Sequence, residues 1–60
     1  MELREIFLKA YYNLPLKLRT ELIVVIDEQP ITWNVAYIEV HRNTEKGKKI
    51  LKILRDLEII

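Results

Sequence analysis

The sequence predicts an all-α domain built from four helices. Three observations carry that expectation. Apolar residues recur at three- and four-residue intervals along most of the chain, which is the repeat of one helix face. Structural punctuation is confined to Pro15, Pro30 and Gly47, so the chain divides into helix-length segments. Thr32 and Thr44 each stand just ahead of such a segment, where a hydroxyl can cap a helix N-terminus.

The first helix is expected over about Glu2 to Asn13. Leu3, Phe7, Ala10, Tyr11 and Leu14 fall on one face. Glu2 and Glu5 lie in the first turn, where negative charge is favoured by the helix dipole. The second helix is expected from Pro15 to Glu28, with the proline at its opening turn. Leu18, Leu22, Val25 and Ile26 form its stripe, flanked by Leu16 and Ile23. The β-branched run Ile23-Val24-Val25-Ile26 would also suit a strand. The surrounding Leu, Lys, Arg and Glu and the i, i+4 spacing favour the helix.

Pro30, between Asp27-Glu28-Gln29 and Ile31-Thr32, marks a turn. The third helix follows, capped by Thr32 and running to His41 or Arg42. Trp33, Ala36, Tyr37 and Val40 share one face, and Val35 and Ile38 share another. A helix that is apolar on two faces packs on two sides. The fourth helix begins after Asn43, with Thr44 as its cap, and ends near Leu57. Ile50, Leu51, Ile53, Leu54 and Leu57 make its inner arc together with Gly47, and Lys48, Lys49, Lys52, Arg55 and Asp56 make the opposite arc.

Sixty residues form one domain. A chain of this length buries only about 60% of the surface it exposes when unfolded. There is no cysteine and a single histidine, His41, so neither disulfides nor a metal site is expected to reinforce the fold. Half of the residues are hydrophobic, more than so small an interior absorbs. A homodimer is therefore expected, with the surplus apolar surface shared between two copies. Leu3, Phe7 and Tyr11 of the first helix and Val35 and Ile38 on the outer face of the third are its candidate interface.

The longest uninterrupted apolar run, Leu22 to Ile26, is five residues, far short of a membrane span. The acidic, amphipathic N-terminus does not read as a secretory signal. With no cysteine present, the expected location is the cytoplasm.

The net charge of +1 conceals a strong segregation. Residues 41–55 carry six basic side chains against one acidic one, whereas the remaining segments are each net acidic. Such asymmetry bears on the partner a surface selects.

Catalysis is not expected. The chain has no Cys, no Ser, one His and no Gly-rich loop, and its acids fall mainly at helix ends, where they serve caps and dipoles. A helical domain of this size also leaves no room for a cofactor or a small-molecule substrate. Trp33, beside Ala36, Tyr37 and Val40, reads as core rather than as a stacking platform for bases. His41 reads as a helix-end or surface residue.

The stretch from Pro30-Ile31-Thr32-Trp33-Asn34-Val35-Ala36 through Ile60 resembles the helix-turn-helix of winged-helix transcription regulators. The resemblance covers about half of the chain. It rests on the apolar-Ala pair Val35-Ala36, the polar turn His41-Arg42-Asn43-Thr44, and the spacing of Leu51, Leu54, Ile59 and Ile60. Glu58 stands where that family usually has glycine, the turn has no glycine, and the sequence ends where the family's wing would begin.

The resemblance implies that the last three helices form a tri-helical unit whose final helix reads duplex DNA. Charge supports this independently. DNA is a dense line of phosphates, and Lys or Arg gains affinity by releasing its counterions. A recognition helix needs one polar, mostly basic face and one packed face. Lys48, Lys49, Lys52 and Arg55 are the expected phosphate and base-edge contacts, supported by Arg42, Asn43, Thr44 and Lys46 at the turn. The expected function is a small dimeric DNA-binding transcription regulator. The alternative is a small helical adaptor that docks a protein through its surplus apolar surface.

Overall fold

The computed structural model describes residues 2–60. The fold is α+β rather than all-α: three helices and a two-stranded antiparallel sheet. The elements run α1 (Leu3–Tyr12), a five-residue 3-10 turn (Leu16–Thr20), β1 (Leu22–Ile26), β2 (Gln29–Thr32), α2 (Trp33–His41) and α3 (Glu45–Asp56).

The expected second helix does not form. Pro15 does open a helical turn, with the Leu18 N–H donating to the Pro15 carbonyl at 2.9 Å. That turn stops at Glu21, whose backbone is extended. The β-branched run then follows its strand preference. It finds a partner immediately downstream, because Asp27 and Glu28 take left-handed backbone angles (φ 51° and 66°). A two-residue loop with positive φ at both positions is the turn whose twist matches a hairpin. The loop pairs Ile26 with Gln29, Val25 with Pro30, Val24 with Ile31 and Leu22 with Thr32, with an irregularity between Leu22 and Val24. The turn expected at Pro30 therefore falls three residues earlier, and Pro30 itself belongs to a strand. Proline is tolerated there because the sheet has only edge strands.

Ile26 and Ile31 face inward and are nearly inaccessible. They join Phe7, Tyr11, Ala36, Val40, Ile50 and Leu54 in one core. A two-stranded hairpin is marginal alone, and packing against this helical core stabilises it. No polar or charged residue is buried among the described residues.

The expected tri-helical unit of the last three predicted helices does not form, because its first member is replaced by a 3-10 turn and a strand. α1 packs against both α2 and α3 in the place expected of the second helix. Consequently Phe7 (0% exposed) and Tyr11 (7%) are consumed by the chain's own interior. They cannot face a second copy, so α1 does not present the dimer stripe expected of it. Of the other candidate interface residues, Leu3 and Val35 are half-buried and Ile38 is exposed.

Aromatic rings line the seam between α1 and α2. Phe7 stacks between Trp33 and Tyr11, with centroids 5.8 and 6.4 Å away. Tyr11 stacks on Tyr37 at 4.3 Å, and Tyr37 on His41 at 5.4 Å. The Tyr11 hydroxyl donates to Asn34 Oδ1 at 2.7 Å, which satisfies the one polar atom that this nearly buried side chain carries inward.

Candidate nucleic-acid interface

α2, the turn after it and α3 form a tightly braced unit. Thr32 caps α2, its Oγ1 accepting from the Val35 N–H at 3.1 Å. α2 ends at His41, and the chain reverses through Arg42 and Asn43. Asn43 takes the left-handed conformation (φ 56°), which Asn tolerates better than most residues. No glycine is needed in the turn for that reason.

Thr44 then does two things. Its Oγ1 accepts from the Gly47 N–H at 2.9 Å, capping α3. The same hydroxyl donates to Glu39 Oε1 at 2.7 Å, tying the start of α3 to the last turns of α2. The Thr44 N–H donates to the Glu39 carbonyl at 3.2 Å. Gly47 lets the two helices meet. A Cβ there would fall 2.7 Å from the Glu39 carbonyl carbon, closer than real Cβ contacts allow, and 3.0 Å from the Val40 nitrogen.

α3 is sharply two-faced. Gly47, Ile50 and Leu54 are buried, whereas Lys48, Lys49, Lys52, Arg55 and Asp56 are exposed on the other side. Arg42 and Asn43 are exposed at the turn, and Thr44 and Lys46 are half-buried beside it. All eight residues singled out from the sequence thus lie on α3 or on the turn leading into it. Thr44 serves the fold directly, since its hydroxyl is occupied on both sides.

The hairpin adds groups to this surface that sequence reasoning missed. Its loop sits beside α3. Asp27 Oδ2 pairs with Lys49 Nζ at 2.6 Å, and Gln29 Oε1 accepts from Lys46 Nζ at 2.9 Å. Lys48 is 3.4 Å from Glu45, and Arg55 contacts the adjacent Asp56 at 3.2 Å. Lys52 is exposed and makes no ion pair among the described residues. With Asp27 placed in a helix, no local pattern could have found its link to Lys49, which spans 22 residues of chain.

The described residues enclose no pocket and hold no cluster of three metal-ligating side chains. No helix among the described residues is long and apolar enough to cross a membrane. Among the described residues eight large apolar ones remain exposed, including Leu16 (75%), Val25 (62%) and Leu22 (57%) on the 3-10 turn and β1. Comparison with known protein families, with curated proteins and with solved structures gives no match to this chain.

Proposed function

We propose that this chain is a small DNA-binding transcription regulator of the cytoplasm, and that α3 is the helix it places in the major groove. The observation that carries the reading is the two-faced α3. Lys48, Lys49, Lys52 and Arg55 project from a helix whose opposite side is locked into the core by Gly47, Ile50 and Leu54. A recognition helix must be rigidly held and must show cations outward. The bracing of α2 to α3 through Thr44 and Glu39 supplies the rigidity.

The ion pairs on this face do not oppose the reading. Exposed pairs of this kind contribute roughly 0–1 kcal/mol each, so phosphates exchange readily for carboxylates. Exposed Arg42 and Asn43 at the N-terminal end of α3 supply further phosphate and base-edge donors. In this reading two copies act together, because paired recognition helices address half-sites one DNA turn apart. The apolar residues left exposed favour such association.

The test is fluorescence anisotropy of labelled duplex DNA at several salt concentrations. Wild type is compared with a Lys48→Glu, Lys52→Glu, Arg55→Glu variant whose fold is checked by circular dichroism. Binding should weaken steeply with salt and disappear in the folded variant. Absence of binding at low salt, or equal binding by the variant, would reject α3 as a DNA-contacting helix. It would favour a protein-docking role for the exposed leucines instead.

A further inference from the structure

The hairpin loop presents two acids, Asp27 and Glu28, at positions that ordinarily favour Asn or Asp and then Gly. Both residues hold left-handed backbone angles at some conformational cost. The cost is greater for Glu28, which has no short side chain to bond locally. In return the loop delivers the Asp27 carboxylate to Lys49 and, from the next strand, the Gln29 side-chain oxygen Oε1 to Lys46. Lys46 and Lys49 stand three residues apart and so lie along one side of α3. Both hairpin contacts fall on that same flank.

A carboxylate oxygen 2.6 Å from an ammonium occupies the position that a phosphate oxygen would take on the same lysine. We infer that the hairpin loop is a built-in competitor for nucleic-acid phosphate, with Asp27 holding Lys49 out of use until a polyanion displaces it. The device lowers affinity for any duplex while leaving Arg42 and Asn43, ahead of α3, exposed. It also divides the basic face. Lys52, which makes no ion pair among the described residues, is immediately available to phosphate, whereas Lys49 is available only after exchange. This inference rests on the DNA-binding reading for its biological meaning, although the competition itself is a property of the polyanion-binding face.

The experiment compares the full chain with Asp27→Asn, with Asp27→Asn combined with Lys49→Gln, and with Glu58→Gln. The last removes one acid that makes no ion pair among the described residues, and so controls for net charge. Asn is well suited to the left-handed loop position, so Asp27→Asn should fold. Each protein is measured for duplex DNA affinity across a salt series and for the salt needed to elute it from immobilised heparin.

Asp27→Asn should bind duplex DNA about two- to fivefold more tightly at low salt. It should also elute later from heparin than either wild type or Glu58→Gln, and adding Lys49→Gln should abolish the gain. Equal behaviour of Asp27→Asn and Glu58→Gln, or a gain that persists without Lys49, would overturn the inference. If no protein binds DNA but Asp27→Asn alone is retained longer on heparin, the competition stands and the DNA reading falls. If DNA binding is normal and Asp27→Asn changes neither measurement, the DNA reading stands and the competitor falls.

Discussion

Gly47 meets the Glu39 carbonyl so closely that no side chain fits between the first turn of α3 and the last turns of α2. Two effects compete at this position. Alanine is the better helix former by about 1 kcal/mol. Its methyl group, however, would collide with backbone atoms that cannot rotate away, and overpacking costs typically 1–3 kcal/mol. The steric effect should win, because the obstruction is the Glu39–Val40 main chain rather than a movable side chain. Gly47→Ala is expected to lower the urea midpoint. A midpoint equal to or above wild type would show that the two helices separate at little cost.

Thr44 supports the same junction through its hydroxyl. Thr44→Ala removes both the cap to Gly47 and the bond to Glu39, and should cost about 1–2 kcal/mol. Thr44→Ser keeps the hydroxyl and should recover most of the loss. Denaturant melts of the three proteins check this. Equal losses for Ala and Ser would assign the effect to the methyl group rather than to the hydrogen bonds.

Glu28 sits at φ 66° in the hairpin loop. Glycine takes that angle freely, though it carries more conformational freedom in the unfolded chain. A left-handed conformation costs an ordinary residue roughly 1–2 kcal/mol, slightly more than the entropy that glycine adds. Glu28→Gly is therefore expected to raise the thermal midpoint modestly. A lowered midpoint would argue that the Glu28 side chain stabilises the loop.

Tyr37 should ionise later than an ordinary tyrosine. Its hydroxyl shares a hydrogen bond with that of Tyr12 at 3.2 Å, and this contact, followed by partial burial, raises its pKa above 10.0. The folded state thus holds this proton more tightly than the unfolded chain does. The associated stability is fully present below the unfolded pKa, near pH 10, and is lost as pH rises through the higher folded value. Tyr12→Phe removes the hydrogen bond, so the Tyr37 titration should move back toward the ordinary range. Tyrosinate absorbance during a pH titration reads this directly. No difference between the two proteins would mean that the hydroxyl contact does not hold the proton.

Much of the second half of the chain was legible without coordinates because the signals there are local. Thr32 and Thr44 cap the helices they precede. The apolar and basic arcs of α3 follow from a repeat within twelve residues. The first helix was equally readable as an element, but its partner was not. A stripe containing Phe7 and Tyr11 says that a face will be covered. It does not say whether the cover comes from the same chain or from a second one, and here it is the same chain.

By itself the sequence determined the three helices, the threonine caps of the last two and the concentration of positive charge on the last of them. Each depends on residues within a few turns of one another. Residues 15–28 were decided only by the tertiary structure. Their apolar spacing is compatible with a helix, and their β-branched run with a strand. The tie is broken by pairing with Gln29–Thr32 and by burial of Ile26 and Ile31 against the helices. That choice turns Asp27 from a helix-end acid into the loop residue that reaches Lys49. The physical reason is the same in both cases: strand pairing and ion pairs between residues distant in sequence gain their free energy from non-local partners, which a local pattern does not contain.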